Sequence, residues 1–372
     1  MKFALISHVS HIFKQNLFFG YAPYVLEMNI LLKNVDEVII VAPLKSTAPT
    51  AIDISYKHNN INFRKVPHFS FTSFINALAS IFKLPIIFST VFLSMKNADH
   101  IHLRCPGNMG LVGCFVQILF PKKTKTAKYA GNWDPKSKQP YTYKIQKWIL
   151  SNAFLTKNMT VLVYGDWSNQ SKNIKPFFTA TYSDSEKESI QKAGFDSIIE
   201  FIFVGSLVSG KNPLYAIKII QNLIEKGYNV ALNLYGEGLE RRTLENYIQK
   251  NNLESSIVLH GNQNKEIVKK AYQRSHFVIL PSKSEGWPKA IAEGMFWGCV
   301  PVASKVSCVF SMLDYGTRGI LLEMDLENDV NQIDEILKDE TAFFTKSQLA
   351  IDWSQSYTTD VFEAEIKKLL IK

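Results

Sequence analysis

The chain has few of the residues that mark a secreted or metal-dependent protein. Its four cysteines, Cys105, Cys114, Cys299 and Cys308, are scattered over 372 residues. None lies in a C-x-x-C pair, and so sparse a set builds no disulfide framework. They read as reduced, mostly buried thiols of a cytoplasmic protein. No His, Asp or Glu cluster has metal-ligand spacing, and no D-x-D follows a strand-like run, so metal independence is expected. Low-complexity tracts, internal repeats and coiled-coil heptads are missing, which argues against disordered, solenoid and fibrous classes. The start, "MKFALISHVSHIF", lacks a small-residue cleavage site and reads as a first strand, not a signal peptide.

Long uninterrupted apolar runs are also scarce. The longest candidate, residues 69–94, is broken by Asn76, Lys83 and Pro85. Lys83 near its middle would cost a spanning helix about 2.5–3.5 kcal/mol. The expectation is a buried pair of core helices, ahead of an interfacial membrane-touching element and of a true span.

What is present is an ordinary hydrophobic content of 46% in a chain long enough for two domains. The net charge of +9 is unevenly spread. Residues 1–187 carry 22 Lys and Arg against nine Asp and Glu, whereas residues 188–372 carry 20 against 24. A basic first half suits an anionic partner: nucleic acid, a membrane surface or a phosphorylated substrate.

Twelve strand-like runs alternate with helix-length segments. The first six are "KFALIS", "EVIIVAP", "INFRKV", "HIHLR", "TAKYAG" and "TVLVYG". The second six are "EFIFVGSL", "VALNLYG", "SIVLHG", "FVILPS", "VPVAS" and "GILLE". Their continuous apolar character suits parallel strands buried on both faces, so the fold class is α/β with two doubly wound domains. The division is expected within residues 181–197, giving an N-terminal domain at 1–187 and a second at 188–350. Residues 351–372 read as a helix with Val361, Phe362, Ile366, Leu369 and Leu370 on one side. Strand ends facing a cleft between two such sheets are the default ligand site.

Four motifs stand at strand ends. "SEGWPKAIAEGMFWGCVPV" follows "FVILP", with Pro288 suited to the first helical position and Gly298 to the stop. Amides around Gly286, Trp287 and Lys289 would then form an anion site at a helix N-terminus. Glu285 lies where it could accept from sugar hydroxyls and Glu293 where it could take a ribose diol. In "FVGSLVSGKNPLYAI" a strand ends at Gly205, and Lys211 precedes a helix capped by Asn212 and Pro213. "LYGEGLERRTLE" holds a Gly-x-Gly turn that reads equally well as a tight turn. The loop at 7–23 holds Gly20, which serves either close ligand approach or an ordinary turn.

Together these motifs resemble the retaining glycosyltransferases of the large family four, which have the GT-B architecture of two Rossmann-like domains facing a cleft. The second half carries the resemblance in order: "FVG-x-L-V-x-x-K-N-P", "G-E-G", "H-G" and "LPS-x-x-EG-x-P-x-x-x-x-E-x-x-x-x-G-x-x-PV". The first half matches only in its strand pattern and the Gly20 loop, with the C-terminal helix expected to cross back to it. The resemblance implies that Glu285 touches the donor sugar, that Gly286, Trp287, Pro288 and Lys289 hold its diphosphate, and that Glu293 binds ribose. It implies that Lys211 steadies the leaving diphosphate, beside Gly205 and Ser206, with Gly20 near the donor. A nucleotide-sugar is then a substrate, and no cofactor is needed.

Two departures stand out. The family usually carries Arg directly after the loop glycine, where this chain has Ser206, which cannot pair bidentately with phosphate. It also often carries a His at the end of a first-domain strand, where "KTAKYAGNWDP" offers Asn132 and Asp134 as acceptor-side residues instead. His8, His11, His100 and His102 lie elsewhere and read as structural. The acceptor is expected to be a glycan or lipid-linked molecule. The basic first half, with Phe18, Phe19, Tyr21 and Trp133 as exposed-aromatic candidates, suggests peripheral contact with an anionic membrane. The alternatives are a sugar-nucleotide epimerase of the same fold and a catalytically silent nucleotide-sugar-binding protein. No nucleic-acid-binding motif is present.

Overall fold

The computed structural model describes residues 1–50, 52–69 and 74–370. It divides into two compact units, the first Met1–Phe178 with Phe362–Lys372 and the second Thr179–Val361.

Unit 1 opens with β1 (Lys2–Ile6), β2 (His11–Lys14), β3 (Leu17–Tyr21), α1 (Ala22–Leu31), β4 (Glu37–Lys45), β5 (Asp53–Ser55) and β6 (Ile61–Val66). It continues with α2 (Phe74–Lys96), β7 (His100–Cys105), α3 (Asn108–Val116), β8 (Thr124–Tyr129), α4 (Tyr141–Ser151), β9 (Met159–Tyr164) and β10 (Ile174–Phe177). The strands pair in the order β10-β9-β8-β7-β1-β4-β2-β3-β5, with β6 also on β4. Pairing is parallel except where β3 meets β2 and β5.

The two faces of this sheet hold different chemistry. On one, Ile101, Leu103 and Cys105 of β7 enter an apolar core with Val91 of α2, Met109 of α3 and Ile149 of α4. On the other, His100 Nε2 and His102 Nδ1 lie 2.9 and 2.8 Å from Thr126 Oγ1. Beside them Arg104 and Lys128 reach Glu27 Oε1 of α1 at 2.5 and 3.1 Å. Burial alone would raise the Glu27 carboxyl, but Arg104 and Lys128 outweigh it and hold it down at about 2. The Lys128 ammonium also stands 4.9 Å from the Phe362 ring, which packs edge-on against Phe177. That aromatic and cationic contact ties the C-terminal residues into unit 1.

Unit 2 runs β11 (Ile199–Val204), α5 (Pro213–Glu225), β12 (Val230–Tyr235), α6 (Arg241–Lys250), β13 (Ile257–Gly261), α7 (Lys265–Arg274) and β14 (Phe277–Leu280). Then come α8 (Lys289–Phe296), β15 (Val300–Ser304), α9 (Val309–Met312), β16 (Ile320–Leu322), α10 (Leu326–Leu337) and α11 (Glu340–Ser354), after which α12 (Thr359–Leu370) begins in unit 2 and from Phe362 onward belongs to unit 1. Its sheet is parallel in the order β13-β12-β11-β14-β15-β16. The strand order reverses between β11 and β14, and the crevice outside their carboxyl ends is where such sheets bind ligands.

All twelve strand-like runs are strands, and the two-domain α/β expectation holds. Residues 69–94 differ from expectation. They hold one helix, α2, with Pro85 inside it, and residues 70–73 lie outside the described ones. A proline at the middle of a long helix removes one backbone donor without ending it when flanking turns hold. Among the described residues no helix is long and apolar enough to cross a membrane. The stretch 7–23 is not a loop but mostly the β2–β3 hairpin, turning at Gln15 and Asn16, both with positive φ. The terminal helix is shorter than expected. α11 reaches Ser354, a break follows, and α12 buries Phe362, Ile366 and Leu369 while leaving Val361 exposed.

Candidate functional site

The ends of β11 and β14 bring two of the sequence motifs together. After β11 the chain turns through Gly205 and the exposed Ser206 to Lys211, just before α5. After β14 it passes Ser282 and Lys283 to Glu285, just before α8. Lys211 Nζ donates to Glu285 Oε1 at 2.6 Å. The Glu285 side chain is only 7% exposed, so the pair is shielded on the carboxylate side and open on the ammonium side. Lys283 joins the loops from the other end, its backbone N–H donating to Gly210 O at 2.9 Å and its Nζ to Ser209 Oγ at 2.9 Å.

The Gly-x-Gly motif serves this loop. Gly236 has φ +143°, and a Cβ there would stand 1.9 Å from Gly205 O. A Cβ on Gly238 would stand 2.2 Å from Leu207 O. The backbone hydrogen bonds from Gly205 N to Tyr235 O and from Leu207 N to Glu237 O, both 2.9 Å, need that approach. The glycines therefore hold the Gly205 loop in place, which a tight-turn reading alone does not convey.

Three local details differ from expectation. Pro288 is the N-cap of α8, and Lys289 is its first helical residue. Asn212 is the N-cap of α5 in a left-handed conformation, but its side chain accepts no capping bond. Gly20 lies inside β3, where a Cβ would approach Val25 Cγ2 to 3.1 Å, so packing against α1 explains it. Gly298 does end α8, with φ +78°.

Gly286, Trp287 and Lys289 lead into the α8 N-terminus as the sequence suggests. The Gly286 carbonyl accepts from Ser307 Oγ at 3.2 Å and Cys308 Sγ at 3.1 Å. Burial pushes the Cys308 thiol up to about 12, so it keeps the proton it donates. The Trp287 ring stacks on Trp353 at 6.0 Å and meets Tyr357 edge-on at 5.7 Å. These clamps fix the loop before the helix, and neither is legible from local sequence. Glu293, one face further along α8, accepts from Thr181 Oγ1 at 2.6 Å and from Tyr272 Oη at 3.3 Å. Burial, reinforced by Glu293, holds the Tyr272 phenol well above its ordinary range, which keeps it a donor. A carboxylate has about four acceptor positions, so room for a diol remains in its bonding capacity. The cavity that Glu293 shares with Lys289 and Tyr357 is about 10 Å³, room for one water.

In unit 1 the acceptor-side candidates hold their own loop. Asn132 Oδ1 accepts from Asp134 N at 2.9 Å, and Asp134 Oδ1 from Lys136 N at 2.8 Å. A cavity of about 610 Å³ lies near, lined by His8, His68, Asn108, Met109, Tyr141 and Tyr143 among others. Neither Asn132 nor Asp134 lines it. Of the four histidines, His11 is buried 2.8 Å from Tyr56 Oη, and His100 and His102 share Thr126. Only His8 reaches the cavity. Trp133 is fully buried, with its Nε1 donating to Gln170 Oε1, and Phe18 and Phe19 are half-buried. Tyr21 alone of that aromatic set is exposed.

A doubly wound unit with a lysine–carboxylate pair and a helix N-terminus at its switch point is built to hold an anionic ligand. Residues 184–352, all within the second unit, match the family model described as glycosyl transferases group 1. The chain is 25% identical to Protein CapJ of Staphylococcus aureus over 66% of this chain and 65% of that protein. It is likewise 25% identical to an uncharacterized glycosyltransferase of Methanocaldococcus jannaschii, over 53% of this chain and 54% of that one. The matches thus span half to two thirds of these curated relatives. Among solved structures, HepE of Anabaena in complex with UDP has TM-score 0.71 at 15% identity, covering 99% of this chain and 98% of that one. That likeness, over nearly the whole chain, establishes the GT-B fold.

Proposed function

We propose that this protein is a retaining glycosyltransferase of family four, transferring a sugar from a nucleotide-sugar to a glycan or lipid-linked acceptor without a metal. The observation that carries the reading is the 2.6 Å Lys211–Glu285 pair beside the α8 N-terminus, at the switch point of the unit 2 sheet. HepE, of the same fold, has been solved with UDP-glucose, which supports a nucleotide-sugar as donor.

In this reading Lys211 and the amides entering α8 meet the donor diphosphate and stabilise the charge that develops as the anomeric C–O bond breaks. Glu285 accepts from donor-sugar hydroxyls and, before donor arrives, keeps Lys211 aimed at the loop. Lys283, anchored in the same loop through Ser209, supplies a cation that Ser206 cannot. Glu293 takes the ribose diol. The acceptor hydroxyl attacks the anomeric carbon on the face the phosphate leaves, and the departing phosphate oxygen receives its proton, so no side-chain base is required. The acceptor occupies the unit 1 cavity, and the basic first half brings the protein to the cytoplasmic face of an anionic membrane.

Release of nucleoside diphosphate from a panel of nucleotide-sugars tests the activity. A turnover with one donor that collapses in Lys211→Ala supports it. Donor binding with no release of product, with or without acceptor, would favour the silent binding protein instead.

A further inference from the structure

Three adjacent helices cover the apolar face of the unit 1 sheet, α3 packing against both α2 and α4. Their outward residues are unusual for a solvated surface. On α2, Phe82 is 83% exposed, with Ile86 and Leu93 also exposed at helical spacing along the same stripe. Phe115 and Leu119 stand out from α3 and the turn after it, Tyr141 and Trp148 from α4, and Phe154 from the turn beyond. These elements form one layer. The Phe92 ring of α2 packs on Phe120 at 5.2 Å, and Asn158 Nδ2 donates to Pro121 O at 3.0 Å.

The charge of that layer has one sign. Residues 74–98, 108–123 and 141–158 contain seven lysines and no Asp or Glu. Lys96, Lys122, Lys144 and Lys157 are exposed among the apolar side chains. Asp99, exposed just past the end of α2 near Lys123, is a carboxylate at the edge of this layer. Apolar rings interleaved with lysines, with no carboxylate within these segments, match a surface of acyl chains beneath anionic headgroups. A second copy presenting the same face would set lysine against lysine, which disfavours self-association. No described helix is both long and apolar enough to cross, so the fit is to a surface and not to a span.

We infer that the outer layer of α2, α3 and α4 is a docking face for an anionic lipid bilayer. This rests on the reading of peripheral membrane contact and not on the transfer chemistry. It relocates the contact from the aromatic set of the β3 strand and the Trp133 loop to this helical layer.

Co-sedimentation with vesicles of phosphatidylglycerol and phosphatidylcholine, at rising salt, tests it. The wild type is expected to bind anionic vesicles and to release as salt rises. A Phe82→Ser, Ile86→Ser, Leu93→Ser variant should bind at least about tenfold more weakly, and so should Lys96→Gln, Lys122→Gln, Lys144→Gln, Lys157→Gln. Both should retain donor hydrolysis, which reports on folding. If the wild type ignores the vesicles, peripheral contact itself fails. If it binds and both variants bind equally well, the contact stands but this face is overturned. Sedimentation of the lipid-free protein as a dimer that the serine variant abolishes would assign the face to a second copy and overturn the lipid reading.

Discussion

Unit 1 and unit 2 are each built on a sheet of their own, mainly parallel in the first and wholly parallel in the second, but they place their polar groups differently. In unit 1, charge is buried behind the sheet, where Glu27, Arg104 and Lys128 satisfy one another. In unit 2, the notable charges stand at strand ends, where Lys211 is open to solvent and Glu285 is not. Pairing in the first case lets ionised groups survive burial, whose desolvation would otherwise exceed any gain. In the function proposed above, pairing in the second keeps a cation oriented for an incoming anion, so that one kind of ion pair would fasten the first unit and arm the second.

The largest way to break this contrast is acid. Burial lowers His11 and His100 to about 4 and His102 to about 3. Each is neutral when folded and binds a proton more readily when unfolded, so stability is present above the unfolded value near 6.5 and falls as pH drops from there toward 4. The three together contribute up to about 4 kcal/mol per pH unit. Glu27, held at about 2, extends the loss below pH 4.5. Thermal unfolding followed by limited proteolysis at pH 7, 6 and 5 should show unit 1 fragments cut first as the pH falls. Equal loss in both units would contradict the assignment.

Next in size, Lys211→Ala should lower turnover about 10²–10³-fold, since Lys211 meets charge that develops as the donor bond breaks, and Glu285→Gln comparably, since Glu285 holds the sugar and aims Lys211. Steady-state rates with the best donor check this, and turnover near wild type in Lys211→Ala would refute the role. Gly236→Ala should destabilise unit 2 by about 2 kcal/mol and weaken donor binding, because the new Cβ meets Gly205 O. Unchanged melting would show that the two loops do not need to touch. Smallest, Glu293→Ala should raise the donor KM about tenfold while leaving kcat nearly intact, as expected for loss of uniform binding. An unchanged KM would remove Glu293 from the ribose.

What could be read from sequence followed the same division. The strands of both units announced themselves through continuous apolar runs, and the unit 2 motifs lie within a few residues of strand ends, so proximity in sequence stands for proximity in space. Lys211 and Glu285 are 74 residues apart, yet both follow strands that are neighbours at the switch point. The β2–β3 hairpin escaped because Gln15–Asn16 lacks the glycine that usually signals such a turn. β10 escaped because Pro176 argues against a strand unless it lies at a sheet edge, where it does lie. Trp133 and the Glu27 network were invisible, since nothing local distinguishes a buried lysine with a distant partner from a solvated one.

The central claim is that the β11–β14 strand ends bind a nucleotide-sugar through Lys211 and the α8 N-terminus. A thermal-shift panel of nucleotide-sugars on the wild type and on Lys211→Ala measures it most directly. Ligand at about 100 times its Kd should stabilise the wild type by about 2.7 kcal/mol for one nucleotide class, with the shift much reduced in the variant. No shift with any nucleotide-sugar, or an equal shift in both proteins, would contradict it.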